Sequence, residues 1–204
     1  MKTFKLCVAL LLVSLMATSC GGFKSKRVGG DEGDELASNI TDKWLIKDTE
    51  MAVKDILKQV EAHPSFQEYL RKNKKPKIFI AEVQNETAEP YFPIADLNDE
   101  LLNEFSYMGK FTLLDAAQRE KLLKEIKYQN DGMVDPKQAK SIGKQYGADL
   151  LVFGSVRMQP ETRDGKTIKQ YSVNMRMTNL ETSEEVLRVR FKTQKYSEQS
   201  KTGW

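Results

Sequence analysis

The sequence predicts a mixed α/β (α+β) fold, with one β-sheet ending in a three-stranded antiparallel meander and about four helices packed on it. Three observations point there. Helical-period apolar positions alternate with short apolar runs through the first two-thirds of the chain. Three longer segments near its end favour strands, two of them alternating strongly, and turn signals separate those segments.

The elements read in order as follows. Leu45, Thr49, Ala52, Val53, Ile56 and Val60 fall on one helical face, with Thr41 or Asp42 as N-cap and Pro64 as the stop. A basic, irregular run from Arg71 to Lys77 leads into a short strand over Ile78–Val83, and Pro90 and Pro93 mark a loop. A second helix carries Leu97, Leu101, Phe105 and Met108 on one side and ends at Gly109; Phe111–Leu114 is a second strand. Asp115 caps a helix bearing Leu122, Leu123 and Ile126. Asp135-Pro136 supplies N-cap and N1 of another, with Gly147 just past its end.

The remainder is β. Leu150–Met158, Ile168–Leu180 and Val186–Tyr196 read as strands, joined by Arg163-Asp164-Gly165-Lys166 and by Glu181-Thr182-Ser183-Glu184. A strand–helix–strand order implies a parallel pair with a right-handed crossover, and the last three strands imply the meander. Tyr171, Val173, Met175 and Met177 share one face with Leu187, Val189 and Phe191. Ser172, Asn174, Arg176 and Thr178 share the other with Arg188, Arg190 and Lys192. Arg157 can join this basic row. Such a face is either a docking surface for an acidic partner or, more plainly, a solvated strand face whose cationic stems blunt edge pairing.

The N-terminal residues address the chain to an envelope. Lys2 and Lys5 precede an apolar run from Val8 to Met16, about nine residues and too short to span a bilayer, so 1–19 reads as a cleaved signal peptide. Leu15-Met16-Ala17-Thr18-Ser19-Cys20 resembles the lipobox of bacterial lipoproteins, which makes Cys20 the expected site of acylation. The plainer alternative is an ordinary signal that happens to precede a cysteine. It would leave Cys20 as a lone thiol in an oxidising compartment, because Cys7 departs with the signal. Stable lipid anchoring takes more than one acyl chain.

Residues 20–40 read as a flexible, lipidated linker with glycines, mixed charges and no apolar period; 41–204 read as the single globular domain. Fully extended, the linker reaches at most roughly 70 Å. Gly21 is not the aspartate that retains some lipoproteins in the inner membrane, so the expected location is the outer membrane, with the domain facing the periplasm. Of 32 Lys+Arg and 29 Asp+Glu, loss of Lys2 and Lys5 with the signal leaves 30 against 29, a balance that does not suit a nucleic-acid binder.

Catalytic constellations are missing from the sequence. The mature chain has no thiol other than Cys20 and a single histidine, His63, placed before Pro64 where a helix-end role is expected. Clustered metal ligands and a glycine-rich phosphate loop are also missing. Asp96, Asp99, Glu100 and Glu104 lie on the polar face of an amphipathic helix, and a glycosidase-like carboxylate pair is the minor alternative there. The expectation is a binding protein, not an enzyme, with no cofactor, no metal and no small-molecule substrate.

Several motifs carry a family resemblance: Lys43-Trp44, Val83-Gln84-Asn85-Glu86-Thr87, Glu125-Ile126-Lys127-Tyr128-Gln129, Gly132-Met133-Val134-Asp135-Pro136, Ile142-Gly143-Lys144-Gln145-Tyr146-Gly147-Ala148-Asp149, Leu151-Val152-Phe153-Gly154-Ser155 and Leu180-Glu181-Thr182. From Trp44 to about Lys195 the chain resembles the LpoB family, outer-membrane lipoproteins that activate class A penicillin-binding proteins. The resemblance implies a fold similar to the N-terminal domain of TolB and a role in peptidoglycan synthesis. The expected partner contacts are the loop containing Tyr128 and Gln129 and the basic strand face of Arg157, Arg176, Arg188 and Arg190. An alternative is a component of an envelope-assembly or curli-type secretion system, which needs long amphipathic hairpins; the hairpins here read as short. Asn85, Thr87 and the Asp135-Pro136 pair have readings of their own as caps and turns.

Overall fold

The computed structural model describes residues 25–114 and 147–199. The helices expected after Asp115 and Asp135, with Tyr128 and Gln129, lie outside the described residues, as does Cys20. The chain divides into two units at Gly33/Asp34, and the sheet with its covering helices belongs to the second.

Helix α1 (Gly30–Ile40) occupies part of the segment expected to be an irregular linker, and none of its residues is buried. Its helicity rests on local bonds: Ser38 and Asn39 side chains both donate to the Glu35 carbonyl. Helix α2 (Ile46–Ala62) buries Ala52, Val53, Ile56 and Val60, the i, i+4 stripe read from sequence. Its start is not capped by Thr41 or Asp42. The Leu45 N–H donates instead to Asp48 Oδ2 at 2.8 Å, one half of a capping box.

Pro64 stops α2, and it also opens α3 (Pro64–Lys72), a helix not expected from the sequence. Proline disfavours helical backbone in the residue before it, so His63 is extended; as N1, its own fixed φ suits the next helix. Phe66 is the fully buried anchor of α3, stacked 5.4 Å from Phe111.

The strand expected over Ile78–Val83 is two short ones, β1 (Lys77–Ile80) and β2 (Gln84–Glu86). Both run parallel to β4 (Leu150–Arg163), pairing Ile78 with Leu150 and Gln84 with Ser155. The register slips by one residue between them, and Asn98 of helix α4 (Ile94–Tyr107) takes the Val83 N–H at 2.8 Å. Helix α4 buries Leu97, Leu101 and Phe105 and connects to β3 (Thr112–Leu113), which is parallel to β1. Strands β5 (Lys166–Asn179) and β6 (Glu185–Glu198) complete the sheet in the order β3-β1-β4-β5-β6, with β2 on β4. The parallel pair and the antiparallel meander are both as the sequence implies.

The meander strands are each 14 residues long, about 45 Å if regular, so the hairpins are not short. Pro160 marked no strand, yet it is tolerated because beyond Arg157 β4 has β5 as its only described neighbour, and proline suits such an edge. The turn at Asp164 and Gly165, with φ of 50° and 76°, is the Asp-Gly hairpin the sequence announces. Gly154 is required for a different reason: a Cβ there would sit 2.3 Å from Met175 Sδ and 2.4 Å from the Asn174 carbonyl oxygen.

The main core lies between one sheet face and helices α2, α3 and α4. Ile78, Ile80, Leu150, Val152, Val156, Val173, Met175 and Met177 meet the helix stripes there. A smaller cluster of Phe79, Ala81, Ala148, Leu151 and Leu180 occupies the opposite face.

Candidate functional site

Cross-strand register decides which side chains share the outer face of the sheet. Arg157 pairs with Ser172 and Ser172 with Lys192; Ser155 pairs with Asn174 and Asn174 with Arg190; Phe153 pairs with Arg176 and Arg176 with Arg188. The structure therefore brings Arg157, Arg176, Arg188 and Arg190 to one surface, as expected. The two remaining expected contacts, Tyr128 and Gln129, are among the undescribed residues.

The basic face is not a bare cationic patch. Glu86 pairs with Arg157, and Glu185 receives a two-pronged pair of bonds from Arg188, both 2.9 Å. These bonds hold the Glu185 carboxyl below its ordinary range and push the Arg188 guanidinium up. Arg190 Nε donates to Asn174 Oδ1, and the Arg176 guanidinium lies 4.7 Å from the centre of the Phe153 ring. Arg157, Arg176, Arg188 and Arg190 are thus held by neighbours, Arg176 also interacts electrostatically with Glu185, and among the described residues Arg190 and Lys192 have no carboxylate partner. A positioned, half-neutralised lattice can recognise an acidic surface at low conformational-entropy cost.

A second polar cluster, on the core face, escapes sequence reading. Lys169 Nζ sits 2.9 Å from Asp42 Oδ1 and 2.8 Å from Glu89 Oε1. The Tyr171 hydroxyl lies 2.9 Å from both Glu89 oxygens, and Ser197 Oγ donates to Asp42 Oδ2 at 2.7 Å. Hydrogen bonds from Lys169 and Ser197 hold the Asp42 carboxyl low. Burial opposes the Lys169 charge, but its bonds to Glu89 and Asp42 win and raise it; burial and the Glu89 bond push the Tyr171 phenol up. Nearby, Lys195 pairs with buried Asp48 at 2.6 Å, and Trp44 Nε1 donates to Thr49 Oγ1 at 2.8 Å. Trp44 packs edge-on to Tyr171 and lies 5.2 Å from Phe92.

This cluster ties the entry segment of the domain to the far ends of β5 and β6. Asn85 and Thr87 help: Asn85 Oδ1 accepts the Thr87 N–H, and Thr87 Oγ1 accepts the Glu89 N–H, shaping the loop that presents Glu89. The sequence does hold one signal for it. Lys169 stands in phase with Tyr171 and Val173, a cation on the apolar side of a strand.

His63 caps both flanking helices through its backbone, and its buried Nδ1 has no described partner. Among the described residues, no group of three or more His, Cys, Asp or Glu side chains could hold a metal, and no helix is long and apolar enough to cross a membrane.

A family model described as "Peptidoglycan-synthase activator LpoB" matches residues 48–188, more than half of the chain. The LpoB C-terminal domain from Salmonella enterica superposes with a TM-score of 0.51 at 16% identity, covering 72% of this chain and 98% of that one. Its counterpart from Escherichia coli gives 0.50 at 18% identity, with the same coverage. TolB from Acinetobacter baumannii is a weaker match, with a TM-score of 0.28 at 18% identity, covering 60% of this chain and 24% of that one. A comparison with curated proteins returns no match. With the mixed sheet, the antiparallel meander and the family match agreeing, the chain belongs to the LpoB family, a family of regulatory activators rather than catalysts.

Proposed function

We propose that this protein is an outer-membrane lipoprotein, anchored through acylated Cys20, that binds and activates a class A penicillin-binding protein from the periplasmic side. The single observation that carries the reading is the family match over residues 48–188. The partner meets the sheet's basic face, with Arg176, Arg188 and Arg190 as its centre and Arg157 at its margin, and the loop of Tyr128 and Gln129 contributes a second contact. Residues 20–40 act as the tether. The helical part, α1, advances only about 1.5 Å per residue, so the tether reaches less far than a fully extended one, and the synthase ectodomain must meet the domain partway.

The secretion-component reading gains nothing from the longer hairpins. Their tips carry Glu161, Arg163, Lys166 and Lys169 on both faces, where a membrane-crossing strand needs an apolar outer row.

The test is glycan polymerisation from lipid-linked precursor by the organism's class A penicillin-binding protein, with and without the added protein. The expected result is a several-fold rate increase that is lost when Arg176, Arg188 and Arg190 are changed to Glu. An unchanged rate with the wild-type protein overturns the activator role. An increase indifferent to the three changes moves the docking face elsewhere.

A further inference from the structure

Past Arg157, toward the hairpin tips, the outer face of the sheet changes character. Gln159 pairs with Gln170 and Gln170 with Gln194, so three side-chain amides stand in one row across β4, β5 and β6. The next row outward carries Glu161, Ile168 and Tyr196, with the carboxylate at the β4 end and the ring at the β6 end; the row inward carries Arg157, Ser172 and Lys192. The three glutamines and Lys192 line a groove of about 530 Å³ together with Arg190 and the Arg157–Glu86 ion pair, with Tyr196 just outside it. That volume falls within the roughly 300–1,000 Å³ of ordinary ligand sites.

The chemistry of this groove is unspent. Gln159, Gln170, Gln194 and Lys192 make no side-chain hydrogen bond or ion pair with any described residue. Each amide offers both donors and an acceptor, and the row repeats at the strand spacing of about 4.8 Å. That step is close to the advance of one pyranose ring along an extended β-linked chain. Tyr196 is 57% exposed, and its hydroxyl lies 2.9 Å from Glu198 Oε2. A held, exposed ring of this kind suits the C–H face of a sugar. On one wall, Lys192 adds a cation with no ion-pair partner among the described residues.

Other occupants use less of this arrangement. An acidic peptide engages the cations and leaves the amide row idle. Single-stranded nucleic acid calls for successive aromatic platforms along a basic track, and Tyr196 is the one exposed ring described in the rows next to the glutamines. We propose that the groove binds an acidic β-linked glycan strand: hydroxyl and acetamido groups on the glutamine row, a ring face on Tyr196, and a sugar carboxylate at Lys192. This site goes beyond activation and needs no synthase.

The experiment is fluorescence anisotropy of labelled, peptide-free glycan strands stripped from peptidoglycan, titrated with the full lipidated chain in detergent and no synthase present. Saturable binding is expected. Gln170→Ala with Gln194→Ala should weaken it about tenfold, the loss of two net hydrogen bonds, while Lys58→Ala on α2 leaves it unchanged. Chito-oligosaccharides, which share the acetamido backbone and lack the carboxylate, should bind more weakly, by the same factor as the acidic strands lose with Lys192→Ala. Should the double change disturb folding, Gln159→Ala, on the stretch of β4 past Arg157 that has β5 as its one described neighbour strand, and Tyr196→Leu serve in its place. Absence of saturable binding, or equal affinity for polyglutamate, overturns the proposal; either result leaves the activator reading intact, since no synthase takes part.

Discussion

Gln59 closes the edge of the sheet at Arg190. Its Nε2 donates to the Arg190 carbonyl at 2.9 Å, and its Oε1 accepts the Arg190 N–H at 3.2 Å, so one side-chain amide stands in for a neighbouring strand. β6 is the outermost strand of the meander, and open edges invite pairing with other chains. Gln59→Leu should therefore cost about 1 kcal/mol, because water replaces part of what is lost at this exposed site. Hydrogen exchange at the Arg190 amide should accelerate, and size-exclusion chromatography should show added self-association. Unchanged exchange at Arg190 would mean that the amide is not what protects the edge.

Lys169 is the hub of the core-face cluster, so its loss strands two acids. Its side chain is 17% exposed, and those of Asp42 and Glu89 are 21% and 16% exposed. Lys169→Met should destabilise by about 1–3 kcal/mol in urea unfolding, since removing one partner of a part-buried pair leaves the acids less well compensated while water reaches them in part. Adding Glu89→Gln and Asp42→Asn should recover part of the loss. A loss below about 1 kcal/mol would show that the cluster does little to hold the entry segment on the hairpin.

The same cluster contributes to the pH dependence of stability at both ends. The folded Asp42 carboxyl is held below its ordinary value of 3.8, so its contribution is complete above that value and disappears as pH falls through the folded one. Lys169 and Tyr171 are raised above 10.5 and 10.0, so their contributions are complete below those values and decline as pH climbs past them. Unfolding curves should show a plateau through neutrality, with an acid limb that Asp42→Asn flattens and an alkaline limb that Tyr171→Phe flattens. Phenolate absorbance of the folded protein should include one tyrosine that titrates above the ordinary range and that Tyr171→Phe removes.

Legibility in the sequence followed the strength of local periodicity. The alternation from Tyr171 to Met177 and from Leu187 to Phe191 set face and register, and the α2 and α4 stripes set the covering layer. What failed to show was non-local or doubly used. Pro64 punctuates two helices, and only the terminating role is visible from one side. Lys169 and Asp42 lie 127 residues apart; Lys169 shows itself as a cation on the apolar side of its strand, but Asp42 alone reads as an ordinary surface charge. Gln59 carries no local sign that a strand edge lies beside it. The basic face was legible in position, but the pairing by Glu86 and Glu185 that fixes Arg157 and Arg188 was not.

Gly154 leaves no room for a side chain in the meander. The methyl of Gly154→Ala would meet a side chain, Met175 Sδ, and a backbone oxygen of Asn174, both closer than atoms pack. A destabilisation of about 2–3 kcal/mol is expected from such overpacking. Combining it with Met175→Ala should not restore stability, because the carbonyl contact persists and a cavity is added. Full rescue by the second change would show that the sulfur alone defines the constraint.

Glu185 sets docking against stability. Arg176 and Arg188 face each other across β5 and β6, a like-charge pairing that opposes the sheet. Glu185 relieves it by taking the Arg188 guanidinium with two bonds of 2.9 Å. Glu185→Gln should thus lower the urea midpoint slightly, and added salt should erase the difference by screening exposed charge. The same change makes the face more positive, so association with an acidic synthase surface should be faster at low ionic strength and converge with wild type at high salt. Stopped-flow association with the penicillin-binding protein at two salt concentrations separates the effects. A variant that is less stable yet no faster to associate would place the docking surface away from the Arg176–Arg188 row.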